Sequence, residues 1–245
     1  MAEGSKVPWR KTTQNPPPIT STKSEPTTAT IPWTKIKEEI QPIENKKWQA
    51  DIMFAIDCTG SMGGEIEGVK TAVIEFANII HDDGISIRLG LLEYRDRLNG
   101  EEPTLHTFNG SIYTKDINQY RETVALLRSS GGGPEPESTL DAILLAMKSI
   151  QDISRTNALV VITDAPPHIP DKECKGIENI RIDISEMKLD QLYIMYPLEQ
   201  SNCSVYSEIL DGITGKSFDL RGSKDTFYDS LISLSHSIST NTRFG

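Results

Sequence analysis

Asp57-Cys58-Thr59-Gly60-Ser61 sets a carboxylate two and four residues ahead of two hydroxyls. On a turn that leads from a strand into a helix, this spacing puts three hard oxygens, from Asp57, Thr59 and Ser61, into one space. A second apolar run ends in the same way, with Asp164 in Ile162-Thr163-Asp164-Ala165-Pro166-Pro167. A third polar loop, Gly131 to Thr139 (GGGPEPEST), opens the helix that lies between them. Neutral hydroxyls with few carboxylates suit a hard divalent cation, Mg²⁺ or Mn²⁺, in octahedral coordination. Alone, Asp-x-Thr-x-Ser is also a common helix N-cap composition and could do no more than start the helix at Met62. Asp164, from a separate segment, moves the balance to a metal.

Other chemistries lack their parts. A Mg²⁺-dependent phosphohydrolase built on Asp-x-Asp would need a carboxylate where Thr59 stands. Gly60-Ser61-Met62-Gly63 is not the Gly-x-Ser-x-Gly of a serine hydrolase, and His81, His106, His168 and His236 sit in no catalytic pattern. The triple glycine lacks the Gly-Lys-Ser/Thr ending of a phosphate cradle. No enzyme activity is expected. His168, after two prolines, reads as structural rather than as a ligand. Arg95 and Asp96 read as an ion pair that fixes a loop, and Cys58 as a small packed side chain facing away from the ligands.

The elements that would position these oxygens alternate along the chain. Asp51 to Ile56 reads as a strand, and Met62, Ile66, Val69, Val73, Phe76 and Ile80 then fall at helical spacing. Ile85, Ile87, Leu89 and Leu91 alternate as in a strand, and Pro103 to Phe108 reads as a short edge strand. A helix is expected from about Ile117 to Leu127 and another over Leu140, Ile143, Met147 and Ile150. The nearly continuous apolar run Ala158 to Thr163 has the pattern of a central parallel strand covered on both faces. Residues 172–187 are ambiguous, with Ile177, Ile180, Ile184 and Met187 at helical spacing. Gln191 to Tyr196 and Lys216 to Asp219 are further strands; Val205 to Ile213 and Phe227 to Ile238 are helices. Together they predict an α/β fold, Rossmann-like and doubly wound, with a mostly parallel central sheet, helices on both faces and a short antiparallel edge strand. In such a sheet, ligands gather beyond the carboxyl ends of the strands, where Asp57 and Asp164 fall.

Composition divides the 245 residues at about residue 48. Residues 1–48 hold half of the 14 prolines, a Ser/Thr-rich stretch from Thr20 to Thr30 and a net charge of +3. They are expected to lack stable structure. Residues 49–245 form the domain and carry a net charge of −13, which argues against nucleic acid as a partner. No apolar run reaches the roughly 18 residues that cross a membrane, and the first residues lack a secretory pattern. Cys58, Cys174 and Cys203, at unrelated spacings, indicate neither a disulfide framework nor a zinc site, so a cytoplasmic setting is expected. All three tryptophans (Trp9, Trp33, Trp48) lie in the tail, and Val7-Pro8-Trp9 recurs as Ile31-Pro32-Trp33. Either the tail packs on the domain, or Trp9 and Trp33 belong to a duplicated docking sequence.

Asp57, Thr59, Ser61 and Asp164 in this order resemble the metal-ion-dependent adhesion site of von Willebrand factor type A (VWA) domains. The wording is similar to the intracellular branch seen beside alpha-type kinases and in bacterial single-domain members: DCTGSM at 57–62, then Gly90, Tyr94, Arg95 and Asp96, then GGG-x-x-Pro-Glu, then DAPPH at 164–168. The likeness covers about residues 50–239 and leaves out the tail. It implies a second-loop hydroxyl, which counting back from Ala142-Ile143 places at Thr139, with Ser138 or Glu137 in its place if the loop is offset. It also implies a protein-binding role, in which an Asp or Glu carboxylate of a partner completes the shell of the ion. A metal-free scaffold subunit of a larger complex is the alternative.

Overall fold

The computed structural model describes residues 48–82, 85–221 and 224–244, with backbone alone at 81, 82, 224–228 and 231. All of them belong to one unit, Lys46–Gly245. Residues 1–47 of the tail, with Trp9 and Trp33, lie outside the described residues, as do the side chains of Phe227 and Leu231.

Six strands form one sheet in the order β3-β2-β1-β4-β5-β6. They are β1 (Gln49–Asp57), β2 (Ser86–Tyr94), β3 (Thr104–Leu105), β4 (Thr156–Ile162), β5 (Gln191–Tyr196) and β6 (Gly215–Asp219). Every pairing is parallel except β2 with β3. The helices are α1 (Ile66–Asp82), α2 (Ile117–Ala125), α3 (Thr139–Lys148), α4 (Ile177–Glu186), α5 (Val205–Leu210) and α6 (Lys224–Phe244). The expected doubly wound α/β architecture is the one observed.

The pleat of the two central strands explains why residues 52–56 of β1 and 158–162 of β4 are apolar without a break. Ile52, Phe54 and Ile56 of β1 join Val160 and Ile162 of β4 in a core with Val69, Val73 and Phe76 of α1. Met53 and Ala55, with Leu159 and Val161, face the opposite way against Leu140, Ile143 and Met147 of α3. Over these residues the strands are covered on both faces and have no solvent side for a polar residue, so the sequence is a continuous run and not an alternation. The stack is specific as well as apolar, with the rings of Phe54 and Phe76 meeting edge to face, centroids 5.1 Å apart.

Three expectations change in detail. The helix expected from Met62 starts later, because Gly60–Gly64 forms a 3₁₀ turn and the α-helix begins at Ile66. Gly60, Gly63 and Gly64 have poor helix propensity, and Gly60 N–H is held by Gly131 C=O at 3.0 Å. The edge strand expected at Pro103 to Phe108 pairs only at Thr104 and Leu105, since Pro103 has no N–H to donate and Phe108 turns back onto Ser111. The ambiguous stretch 172–187 resolves into a loop followed by α4, whose Ile180 and Ile184 are buried.

The sheet order reverses direction between β1 and β4, the two strands that leave in opposite senses from the centre. Ile56 pairs with Ile162, so Asp57 and Asp164 emerge side by side at that crevice. Among the described residues no helix is long and apolar enough to cross a membrane.

Candidate metal centre

Asp57, the last residue of β1, is fully buried. Its Oδ1 accepts from Thr59 N at 2.9 Å and Thr59 Oγ1 at 2.7 Å, and its Oδ2 accepts from Thr163 Oγ1 at 2.7 Å. Thr59 Oγ1 lies 2.9 Å from Ser61 Oγ, which donates to Asp164 Oδ1 at 2.9 Å. Four of the five expected oxygens thus form one connected chain across two loops. Thr59 sits at the N-cap of the 3₁₀ turn but its side chain makes no capping bond. The N-cap alternative would need that bond; the hydroxyl is turned to Asp57 and Ser61 instead. Burial of its carboxyl raises the Asp57 pKa to about 6, partly opposed by the bonds from Thr59 and Thr163 and reinforced by Asp164.

Thr139 stands apart from this chain. It is fully buried at the first turn of α3, with its Oγ1 3.2 Å from Tyr94 Oη and 3.1 Å from Tyr206 Oη. Ser138 Oγ faces another neighbour, accepting from Arg97 N at 2.9 Å and lying 3.4 Å from Asp96 Oδ1. Glu137 is 1% exposed and its Oε2 has no hydrogen-bond partner. Burial, together with the negative charges of Asp57, Asp96, Asp164 and Glu101, raises the Glu137 pKa to about 8. Buried carboxylate oxygens are almost always satisfied, and a cation would satisfy this one. Among the described residues no three Asp, Glu, His or Cys groups stand together as a ready-made cage, so a cation here would draw on the hydroxyls as well.

Glycine shapes the wall here. Gly132 has φ +78°, and a Cβ on it would lie 2.9 Å from Thr59 Cβ and 3.1 Å from Glu137 Oε1. Gly132→Ala is therefore expected to lower stability by roughly 2–3 kcal/mol, from the left-handed backbone and the contact together. A thermal-unfolding midpoint within about 2 °C of wild type would contradict this, since roughly 5–10 °C is expected for a domain of this size.

The motif neighbours take structural roles. Arg95 and Asp96 do not pair, contrary to the expectation: Arg95 binds Glu93 at 2.7 Å and donates to the carbonyls of Ser130 and Arg128. Asp96 instead accepts from Leu98 N, Asn99 Nδ2 and His168 Nε2, which ties the DAPPH loop to the end of β2. Two consecutive residues of an extended strand end point opposite ways, which is why they have different partners. His168 is structural, as expected. Cys58 is buried in the core and burial pushes its thiol up to about 12. Cys174 and Cys203 are likewise free and buried.

Two participants carried no sequence signal as ligand neighbours. Thr163 reads as a strand end, although a hydroxyl directly before Asp164 is the feature that could have suggested it. Arg221, in the loop after β6, reaches Asp164 Oδ2 at 3.5 Å and Glu65 Oε1 at 3.4 Å.

Residues 51–190, from β1 to the start of β5, match the von Willebrand factor A domain family. The chain belongs to this family. Its VWA domain is 26% identical over 144 residues to the alpha-protein kinase vwkA of Dictyostelium discoideum, which is 58% of this chain and 22% of that protein. It is 27% identical over 119 residues to the ariadne-like RING finger protein R811 of Acanthamoeba polyphaga mimivirus, 48% of this chain and 11% of that one. The chain thus spans less than a quarter of either relative, and family membership points to a protein-interaction module.

Proposed function

We propose that the VWA domain is a metal-dependent protein-binding module, not an enzyme, in which Asp57, Thr59, Ser61 and Asp164 hold Mg²⁺ or Mn²⁺. The observation that carries this is the connected chain of four oxygens at the crevice between β1 and β4. Ser61 is exposed while Asp57 and Thr59 are buried beneath it, so the donor set has an open face. When bound, the ion supplies a Lewis-acidic position that an Asp or Glu carboxylate of a partner protein can occupy. Arg221, half-exposed beside Asp164, adds a cation at that rim for the same carboxylate. The binding reading is also supported by the histidines near the site, since His106 and His168 are engaged with Glu93 and Asp96 and not with a hydroxyl. The Pro-Trp sequences at Trp9 and Trp33 would add a second contact to the partner. Three free buried thiols support a reducing compartment such as the cytoplasm.

One observation favours the metal-free scaffold reading instead: the four oxygens satisfy one another and Arg221 already places a positive charge on Asp164. Calorimetric titration of the full chain separates the two. The proposal expects one Mn²⁺ or Mg²⁺ per chain and capture of a partner that is lost in chelator and regained with excess Mg²⁺. No heat of binding, with capture indifferent to chelator, would establish the scaffold reading.

A further inference from the structure

We infer that the edge strand β6 is a second docking surface, which takes an extended segment of a partner protein as an added strand and receives its acidic side chains on Lys216 and His236. Strand β5 separates this edge from the crevice between β1 and β4, and the inference does not depend on a metal.

β6 ends the sheet, and its backbone is half used. Leu192 N donates to Thr214 C=O at 3.0 Å, and Leu220 N donates to Tyr196 C=O at 3.1 Å. In the parallel pairing of Leu192 with Gly215 and Tyr196 with Asp219, this phase turns the N–H and C=O of Lys216 and Phe218 inward to β5. Those of Gly215, Ser217 and Asp219 point out of the sheet, and no described residue bonds them. A lysine on an edge strand commonly keeps other strands away. Here the Lys216 ammonium lies 4.8 Å from the centre of the Phe218 ring, whose neighbours in the core are Leu234 and Ile238 of α6. The residues that present the open backbone do not block it. Gly215 has no side chain and Ser217 a short one, and Asp219 Oδ1 is tied back by Leu198 N and Arg221 N. The opposite edge offers less, because β3 is two residues long.

Beside this edge runs a groove of about 420 Å³, lined by Lys216 and by Ser233, His236, Ser237, Thr240 and Asn241 of α6. Its ionisable groups are Lys216 and His236, and it has no carboxylate, although residues 49–245 carry a net charge of −13. Ammonium, imidazole, amide and hydroxyl groups are donors for an oxygen anion. A strand laid against β6 turns alternate side chains to the α6 face. Main-chain bonds to Gly215, Ser217 and Asp219 would hold it, while Asp or Glu at the alternate positions meets the groove. Charge thus selects an acidic segment at the groove, and it disfavours a second copy of the domain, whose like net charge opposes approach.

The test is amide NMR of the full chain in chelator, so that no metal ion draws the probe to Asp57 and Asp164. The probe is an acetylated and amidated heptapeptide that alternates Val with Glu, at up to about 1 mM. Its controls are the same peptide with Lys for Glu and with methylated backbone nitrogens. Saturable shifts at Gly215, Ser217 and Asp219, weakened at least roughly tenfold in both controls and in Lys216→Glu, support the inference. Circular dichroism checks the variant; if it unfolds, Lys216→Gln takes its place, with binding expected to weaken about threefold. Any other result overturns the inference. That includes edge shifts that follow protein concentration without peptide, which would assign β6 to a second copy of the chain.

Discussion

Replacing Asp57 and Asp164 together by asparagine is expected to weaken Mn²⁺ binding by at least roughly a hundredfold, about 2.7 kcal/mol. The amides keep the size of the side chains and an accepting oxygen, so the loops should hold their places while the charge is removed. That choice follows from the wiring: Asp57 accepts three hydrogen bonds, and an alanine there would leave Thr59 and Thr163 donors without a partner in the interior. Hydroxyls hold a divalent ion weakly without anionic companions, because they cannot offset its charge. The single Asp57→Asn variant should lose about tenfold, or about 1.4 kcal/mol. Calorimetry with circular dichroism in chelator separates lost binding from lost fold. Equal Mn²⁺ affinity for a folded double variant and wild type would remove Asp57 and Asp164 from the site.

Those two aspartates were legible because each follows a strand whose apolar run is unmistakable, and a doubly wound sheet delivers strand ends to one edge. The six strands and the helical periodicity of α1, α3 and α4 follow from the same alternation of burial, which local sequence records directly. The second loop was less legible for a geometric reason. Glu137, Ser138 and Thr139 stand at a helix start, where each residue turns the side-chain direction by about 100°. A one-residue ambiguity in alignment therefore decides between the orphan carboxylate, the Arg97 contact and the tyrosine pair. Arg221 was invisible for another reason: its approach to Asp164 depends on where the loop after β6 crosses the sheet edge, and nothing local to either residue encodes that. The partners of Arg95 and Asp96 show the same limit, since adjacency in sequence suggested a pair that an extended backbone keeps apart.

In chelator, the stability of the domain is expected to fall as pH rises from about 5 to 8.5. The cause is Glu137, whose pKa burial raises from an ordinary 4.5 to about 8, and Asp57, raised from 3.8 to about 6. Asp171 is also raised, chiefly by burial, and acts in the same direction. Between the two values of each group, the folded chain holds a proton that the unfolded chain has released. Unfolding then releases protons, so the contribution of these groups is complete below about pH 4 and is lost progressively until the pH passes the folded pKa. At about 1.4 kcal/mol per unit of pKa difference, Glu137 alone accounts for a loss of several kcal/mol, or roughly 10 °C in the unfolding midpoint. Carboxylates held below their usual range by ion pairs, among them Glu93 beside His106 and Arg95, have the opposite slope, but theirs falls below about pH 4.5 and does not obscure this window. Glu137→Gln removes the titrating group, so its profile should be flatter and it should melt above wild type at pH 8.5 without metal. Excess Mg²⁺ should reverse the wild-type slope, since a cation binds the deprotonated carboxylates of the folded form. Thermal melts at pH 5, 7 and 8.5, with chelator and with Mg²⁺, read all three effects. A wild-type midpoint constant across that range in chelator, or a Glu137→Gln profile parallel to wild type, would show that Glu137 is not the strained carboxylate its burial makes it.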